Sequence, residues 1–413
     1  MASRMQLGPA PVPTPEIDVL TCLHPLERAY VNTLKRKQRS DLVRVLVPRR
    51  APRLEAPLRI EVLQSQLPEE LRRHIFARLA TNTCDKYLAW VRRMIRLPLQ
   101  VVHPGARVPG DVLATLQAAR ERLETHITGH AAPKREVLKL VCQTAHAGSC
   151  ASNYSLGLEG PPGTGKTHFV RTAVAAALGR PLISIPMGGV NDVSYLLGHL
   201  YAYEGSGEGR LASALLDAEC MNPIIHFDEV DKIAHTERGA EVTAALIHLT
   251  DPSANTALRD RYLHGVDLDF SRCTFILTYN DPSAVCPVLL DRIKRVQMPA
   301  PTEEERRAIL VRHAIPRILR RHAAGFDFSE AAIDALLRRS TAGGGMRGIE
   351  RDADHVVANA QLCRASGASE GTPAGCPGTG VFTPDGRLSA RFVEAILAAQ
   401  GVQRDPTPAS MYT

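Results

Sequence analysis

Residues 160–168, "GPPGTGKTH", contain the spacing G-x-x-x-x-G-K-T from Gly160 to Thr167. The stretch follows a short apolar run, "YSLGLE", and opens a helix-like one, which is the setting this motif requires. Gly160, Gly163 and Gly165 allow backbone N–H groups to converge on phosphate oxygens with no Cβ in the way, and Pro161, Pro162 and Thr164 complete the loop. The helix N-terminus adds its partial positive charge. Lys166 is placed to reach the β- and γ-phosphates, Thr167 to ligate Mg²⁺, and His168 continues the binding stretch into the helix. The chemistry indicated is binding of a nucleoside triphosphate, ATP.

A second cluster supplies what hydrolysis needs. About 60 residues on, the apolar run "PIIHFDE" ends in Asp228 and Glu229. Asp228 would hold Mg²⁺ through water, and Glu229 stands where a carboxylate can polarise the attacking water. Asn280 ends another apolar run, "CTFILTYN", where its amide could hold that water. Arg292, in "LLDRIKR", is a candidate to neutralise charge developing on the γ-phosphate. His226 sits inside the apolar run and reads as a satisfied core histidine.

The elements that must position these groups are visible as a change of period. Residues 1–56 are a Pro-rich and basic N-terminal segment, expected to be partly disordered. Residues 57–145 carry helix-period apolar positions broken by "HPGARVPG" and read as a helical bundle. Over 146–300 short apolar runs alternate with helical stretches, the pattern of a doubly wound α/β domain with a buried parallel sheet. Residues 301–402 turn helical again, opening on Thr302 and three glutamates, and 403–413 form a tail. The nine cysteines include no C-x-x-C pair, so neither a zinc site nor a disulfide framework is indicated. A reducing intracellular compartment, cytoplasm or nucleus, is the expected setting, because the N-terminus has the features of neither a secretory signal nor a transit peptide. No apolar run reaches about 18 residues, so no membrane span is expected. The net charge of +7 is partly local: residues 35–53 hold eight Lys or Arg against one Asp, a possible nucleic-acid contact.

Taken together, "GPPGTGKT", "GGVND", "LLGH", "FDEVDK", "LTDPSAN", "LLDR" and "GGGMRGIER" resemble the AAA+ ATPases and, within them, the ATPase module of Lon proteases. The resemblance runs from about residue 57 to 400. It implies an AAA+ P-loop domain with a parallel sheet, preceded by the helical bundle and followed by a small helical lid. It also implies that Asn280 is sensor 1, Arg292 the arginine finger acting on a neighbour's nucleotide, and Arg347 in "GMRGIER" the lid's sensor 2. A homo-oligomeric ring, usually of six subunits, follows from the finger's action in trans.

The same resemblance gives a reading to "GHLYAYEGSGEGR", residues 198–210, whose glycines and glutamates suit a loop and not a core. In such ATPases this loop lines a central pore and an aromatic ring grips an extended polypeptide. Tyr203 falls at the gripping position, with Tyr201 and Glu204 beside it. A second pore loop is expected near "AHTERG", with Glu237. Carboxylates at Glu204 and Glu237, repeated around a ring, would repel phosphate backbones and favour basic polypeptide. The sequence closes a dozen residues after "FVEAILAAQG", which leads to the expectation of a motor without its own peptidase, acting as an unfoldase, translocase or remodelling factor. The alternatives are a nucleic-acid-associated motor and an ATPase subunit feeding a separate peptidase.

Overall fold

The computed structural model describes residues 58–81, 84–106, 110–147, 154–203, 205–340, 345–365 and 380–402. The basic segment 35–53, the Pro-rich start and Glu204 lie outside the described residues. Residues 58–64 hold one short helix, α1 (Leu58–Gln64).

Helix α2 (Glu69–Arg78) starts after Pro68, with Glu69 and Glu70 in its first turn and Arg78 in its last, the charge order that the helix dipole favours. Helix α3 (Asp85–Ile95) buries Tyr87, Trp90, Val91 and Met94, one face at three- and four-residue spacing. Helix α4 (Val112–His126) is capped by Asp111, whose carboxylate accepts from Ala114 N–H at 2.8 Å. Helix α5 (Ala131–Ala147) follows. Leu123 of α4 and Val137 and Val141 of α5 share one core with Leu156, Leu158 and Phe169, so these two helices cover the sheet described next.

Strand β1 (Tyr154–Glu159) leads through the glycine-rich loop into α6 (166–178). There follow β2 (Leu182–Pro186), α7 (Ser194–Leu197), α8 (Arg210–Ala218), β3 (Ile224–Asp228) and α9 (Glu237–Thr250). A two-residue pair, β4 (Leu258–Arg259) and β5 (Asp267–Leu268), precedes β6 (Thr274–Tyr279), α10 (Pro287–Asp291) and β7 (Lys294–Gln297). Among the described residues the main sheet has five strands in the order β2-β3-β6-β1-β7, every pair parallel. Helices on both faces explain why β6 is buried along its whole length and why the strands read as unbroken apolar runs. The expected parallel-sheet α/β architecture is therefore present. Its order puts the C-terminal ends of β1, β3 and β6 side by side, the edge at which open α/β sheets bind ligands.

After β7 the chain is helical: α11 (303–321), α12 (Glu330–Ser340), α13 (Met346–Ala365) and α14 (Ala390–Val402). Helix α11 opens on a capping box in which Thr302 and Glu305 each accept the other's backbone N–H. These helices bury a core of their own that includes Leu310, Leu336, Val356, Val357, Phe392 and Ile396.

One close approach ties the sheet to the loop that leaves it. Met298 N–H donates to Glu159 O at 2.6 Å, and a Cβ on the next residue, Gly160, would stand 2.1 Å from Met298 O. Backbone has no rotamer with which to yield. Gly160→Ala should therefore cost about 1–3 kcal/mol of stability, read as a lower thermal midpoint. An unchanged midpoint would show that the β1–β7 junction is looser than its hydrogen bond implies.

Candidate functional site

The loop between β1 and α6 turns at two left-handed glycines, Gly163 (φ +81°) and Gly165 (φ +88°), a conformation that disfavours side chains. Gly165 is the residue before the first turn of α6, so the helix N-terminus faces the space that the loop encloses. Lys166 follows and is 8% exposed. Its Nζ donates to Gly160 O at 2.6 Å, Pro161 O at 3.0 Å and Asn280 Oδ1 at 2.8 Å. Burial pushes the Lys166 pKa down, and the carboxylates of Asp231 and Asp228 oppose that shift.

Beside the lysine, Thr167 Oγ1 donates towards both carboxylate oxygens of Asp228, at 3.1 and 3.0 Å. Thr278 Oγ1 donates to Asp228 Oδ1 at 2.6 Å. A hydroxyl and a partly buried carboxylate at the mouth of the glycine-rich loop make a hard-oxygen donor set of the kind that suits Mg²⁺. Glu229, the next residue, has φ +60° and ψ +50°. That left-handed turn costs a non-glycine residue on the order of 1 kcal/mol. It ends β3 abruptly and leaves the carboxylate exposed, and Gly188 gives it room: a Cβ there would lie 2.9 Å from Glu229 Oε2. Asp231 is buried, and its Oδ2 accepts from Asp281 N–H at 3.3 Å, which joins the turn after β3 to the turn that carries Asn280.

A cleft of about 230 Å³ is lined by this loop, Lys166, Thr167, His168, Asp228, Glu229 and Asn280, and by Arg347 and Glu350 of α13. The helices after β7 thus close over the loop. Gly163 and Gly345 face each other at that junction, and a Cβ on Gly163 would stand 3.4 Å from Gly345 Cα, an ordinary van der Waals contact. Thr278, Asp231 and the cleft-lining trio Ile309, His313 and Arg317 are functional-site residues that the motifs do not single out. The trio's four-residue spacing on one helix was a visible signal; Thr278 lay in an apolar strand run where only register could single it out.

Arg292 is not among the residues that line this cleft. It is the C-cap residue just after α10, and its Nη1 lies 2.5 Å from Asp251 Oδ2. Ser253 holds the other oxygen, Oδ1, donating from its N–H at 2.9 Å and its hydroxyl at 2.7 Å. Those bonds, with Arg292, keep the Asp251 carboxyl well below the usual carboxylate range. The two tyrosines of the 198–210 loop differ. Tyr203 is 64% exposed, whereas Tyr201 packs among Trp90 (6.1 Å), Tyr262 (5.9 Å) and His264 (5.8 Å). Glu237 is exposed in the first turn of α9, which Thr236 caps.

Residues 156–300 match the model of the ATPase family associated with various cellular activities (AAA). The chain is 35% identical over 240 residues to the protein named Lon protease homolog 2, peroxisomal, of Arabidopsis thaliana, covering 57% of this chain and 27% of that one. It is 32% identical over 282 residues to the Lon protease of Campylobacter concisus, covering 65% and 33%, and 39% identical over 199 residues to that of Halothermothrix orenii, covering 48% and 25%. The chain thus spans between a quarter and a third of the length of these relatives. It carries an AAA domain and is similar to Lon proteases over their ATPase region, as its motifs led one to expect. No helix among the described residues is long and apolar enough to cross a membrane.

Beneath the cleft, His226 is fully buried in β3. Its Nδ1 lies 2.7 Å from Ser184 Oγ and its Nε2 3.2 Å from Thr278 Oγ1, so the ring is satisfied within the core. Burial pushes its pKa down to about 4, against a smaller opposing pull from Asp228. The unfolded chain, with an ordinary histidine near 6.5, takes up this proton first as pH falls. Stability from this group is therefore whole above pH 6.5 and declines between 6.5 and about 4. The thermal midpoint should fall across that window, and the fall should be shallower in His226→Val. Equal acid slopes in the two proteins would remove His226 as the cause.

Proposed function

We propose that this chain hydrolyses ATP in a ring of like subunits and uses the 198–210 loop to move polypeptide. The observation that carries the reading is a division of groups. Lys166, Thr167, Asp228, Glu229, Asn280 and Arg347 converge on one cleft, while Arg292 is held outside it on Asp251. An arginine kept out of its own subunit's cleft supports action on a neighbour's nucleotide.

Each residue has a task. The ammonium of Lys166 and the N-terminus of α6 neutralise the phosphates. Thr167 and Asp228 would hold Mg²⁺, which when bound adds positive charge at the phosphate oxygens. Lys166 donates to Asn280 and to the loop carbonyls of Gly160 and Pro161. Phosphate oxygens compete for that ammonium and free the Asn280 amide to hold a water. Glu229 takes the proton as the water oxygen bonds to the γ-phosphorus and the bond to the bridging oxygen breaks, releasing ADP and phosphate. Arg347 couples the helices after β7 to the nucleotide, and Arg292 of the adjacent subunit offsets the developing charge.

Tyr203 is the exposed ring that would grip the substrate, and Tyr201, packed in its aromatic cluster, holds the loop in place. Glu237, exposed in the first turn of α9, would add negative charge at a second pore loop and favour basic polypeptide over nucleic acid. The six cysteines among the described residues are free thiols, which suits a reducing intracellular compartment.

Two measurements test the reading. Glu229→Gln should bind ATP yet turn over at least roughly a hundredfold more slowly, the range of a lost general base, and should accumulate as an assembled ring in size analysis. Full turnover would remove Glu229 from the mechanism. Unfolded casein should raise the ATPase rate of the parent, and Tyr203→Ala should lose that rise. Stimulation by single-stranded DNA but not by casein would overturn the polypeptide reading.

A further inference from the structure

A ring that pulls on a chain needs a backbone that does not give way behind it. The base of the 198–210 loop has its own fastening: Gly209 N–H donates at 2.8 Å to Asp260, a buried carboxylate that also accepts from Tyr262 and Leu263 N–H at 2.9 Å each. The tip lies beyond that fastening. Its internal bonds are local turns, such as Tyr203 N–H to Leu200 O at 3.2 Å, and these set a shape without fixing a position.

The tip instead meets one face of α3. Lys86 Nζ donates to Tyr203 O at 2.7 Å and lies 4.9 Å from the centre of the Tyr201 ring, a cation over an aromatic face. Four residues on, Trp90 meets the Tyr201 ring edge-on. Three residues further, Arg93 Nε lies 3.5 Å from Glu208, whose side chain is 12% exposed. Residues at i, i+4 and i+7 fall on one helical stripe. Trp90 is fixed in turn, because its Nε1–H donates to Tyr262 O at 2.9 Å and its ring stacks on His264 at 5.1 Å.

We infer that α3 is the mount of the substrate loop, with Lys86, Trp90 and Arg93 as positioning residues that hold the Tyr203 carbonyl, the Tyr201 ring and Glu208 in turn while the Tyr203 ring stays exposed. Lys86 restrains the carbonyl of the very residue whose side chain is exposed, so load on the ring passes to α3 as well as to the base held by Asp260. The consequence for substrate handling rests on the polypeptide reading above; the mount itself does not.

Trp90 is buried, and its removal could unfold the region, so the informative variant changes the two partly or fully exposed contacts: Lys86→Met with Arg93→Gln in the full chain. Hydrogen–deuterium exchange should quicken about fivefold or more at amides 200–207 and stay as in the parent at 209–213, where Asp260 still holds the base. The half-saturating concentration of unfolded casein in ATPase stimulation should rise by about fivefold while the rate without casein stays within about twofold of the parent. Unchanged exchange at 200–207 would overturn the mount. Quickened exchange with an unchanged casein response would overturn its bearing on substrate. A parent that casein does not stimulate would defeat the polypeptide reading, and exchange would still decide the mount.

Discussion

The ammonium of Lys166 is the constraint around which the rest is arranged. A charge that is 8% exposed must be compensated or it will be neutralised. Compensation comes from places far apart in sequence: loop carbonyls at 160 and 161, Asn280 after β6, and the carboxylates of Asp228 at the end of β3 and Asp231 just beyond it. Those groups can meet only if β1, β3 and β6 end together. The strand order β2-β3-β6-β1-β7, with every pair parallel, delivers that.

Precision at the strand ends is maintained at a local cost. Glu229 occupies a left-handed conformation with no glycine to ease it, and Asp231 keeps a buried Oδ1 without a hydrogen-bond partner among the described residues. Both lie within four residues of Asp228, where the chain must stop a strand, aim a carboxylate and tie itself to the turn after β6. Strain and incomplete satisfaction concentrated at such a place accord with a site shaped by its chemistry and held by a well-packed sheet beneath it.

The loop at 198–210 follows the opposite plan. Its tip contributes little to the core and takes its position from outside, from α3, a helix more than a hundred residues earlier in the chain. The aromatic cluster at that junction also gathers Tyr262 and His264 from the segment between β4 and β5, so three separated stretches meet at one ring, Trp90.

Local pattern alone determined much of this protein. The phosphate loop needs glycines, a lysine and a threonine at fixed spacing, and short apolar runs alternating with helices imply a parallel sheet whose strand ends carry the acidic and amide groups. The AAA domain and the similarity to Lon proteases agree with that reading. What sequence could not decide is anything that depends on contacts between distant strands. Thr278 looked like one more residue in an apolar run, and only its position next to β3 aims its hydroxyl at Asp228. Arg292 and Asp251 could not be paired from their spacing. The resemblance singles out Tyr203 over Tyr201, two residues away in one loop, but only packing on Trp90 shows that one ring is held and the other exposed. Periodicity records what a residue's own helix or strand requires of it, whereas partnership across the fold is set by strand order and helix placement, which no local window contains.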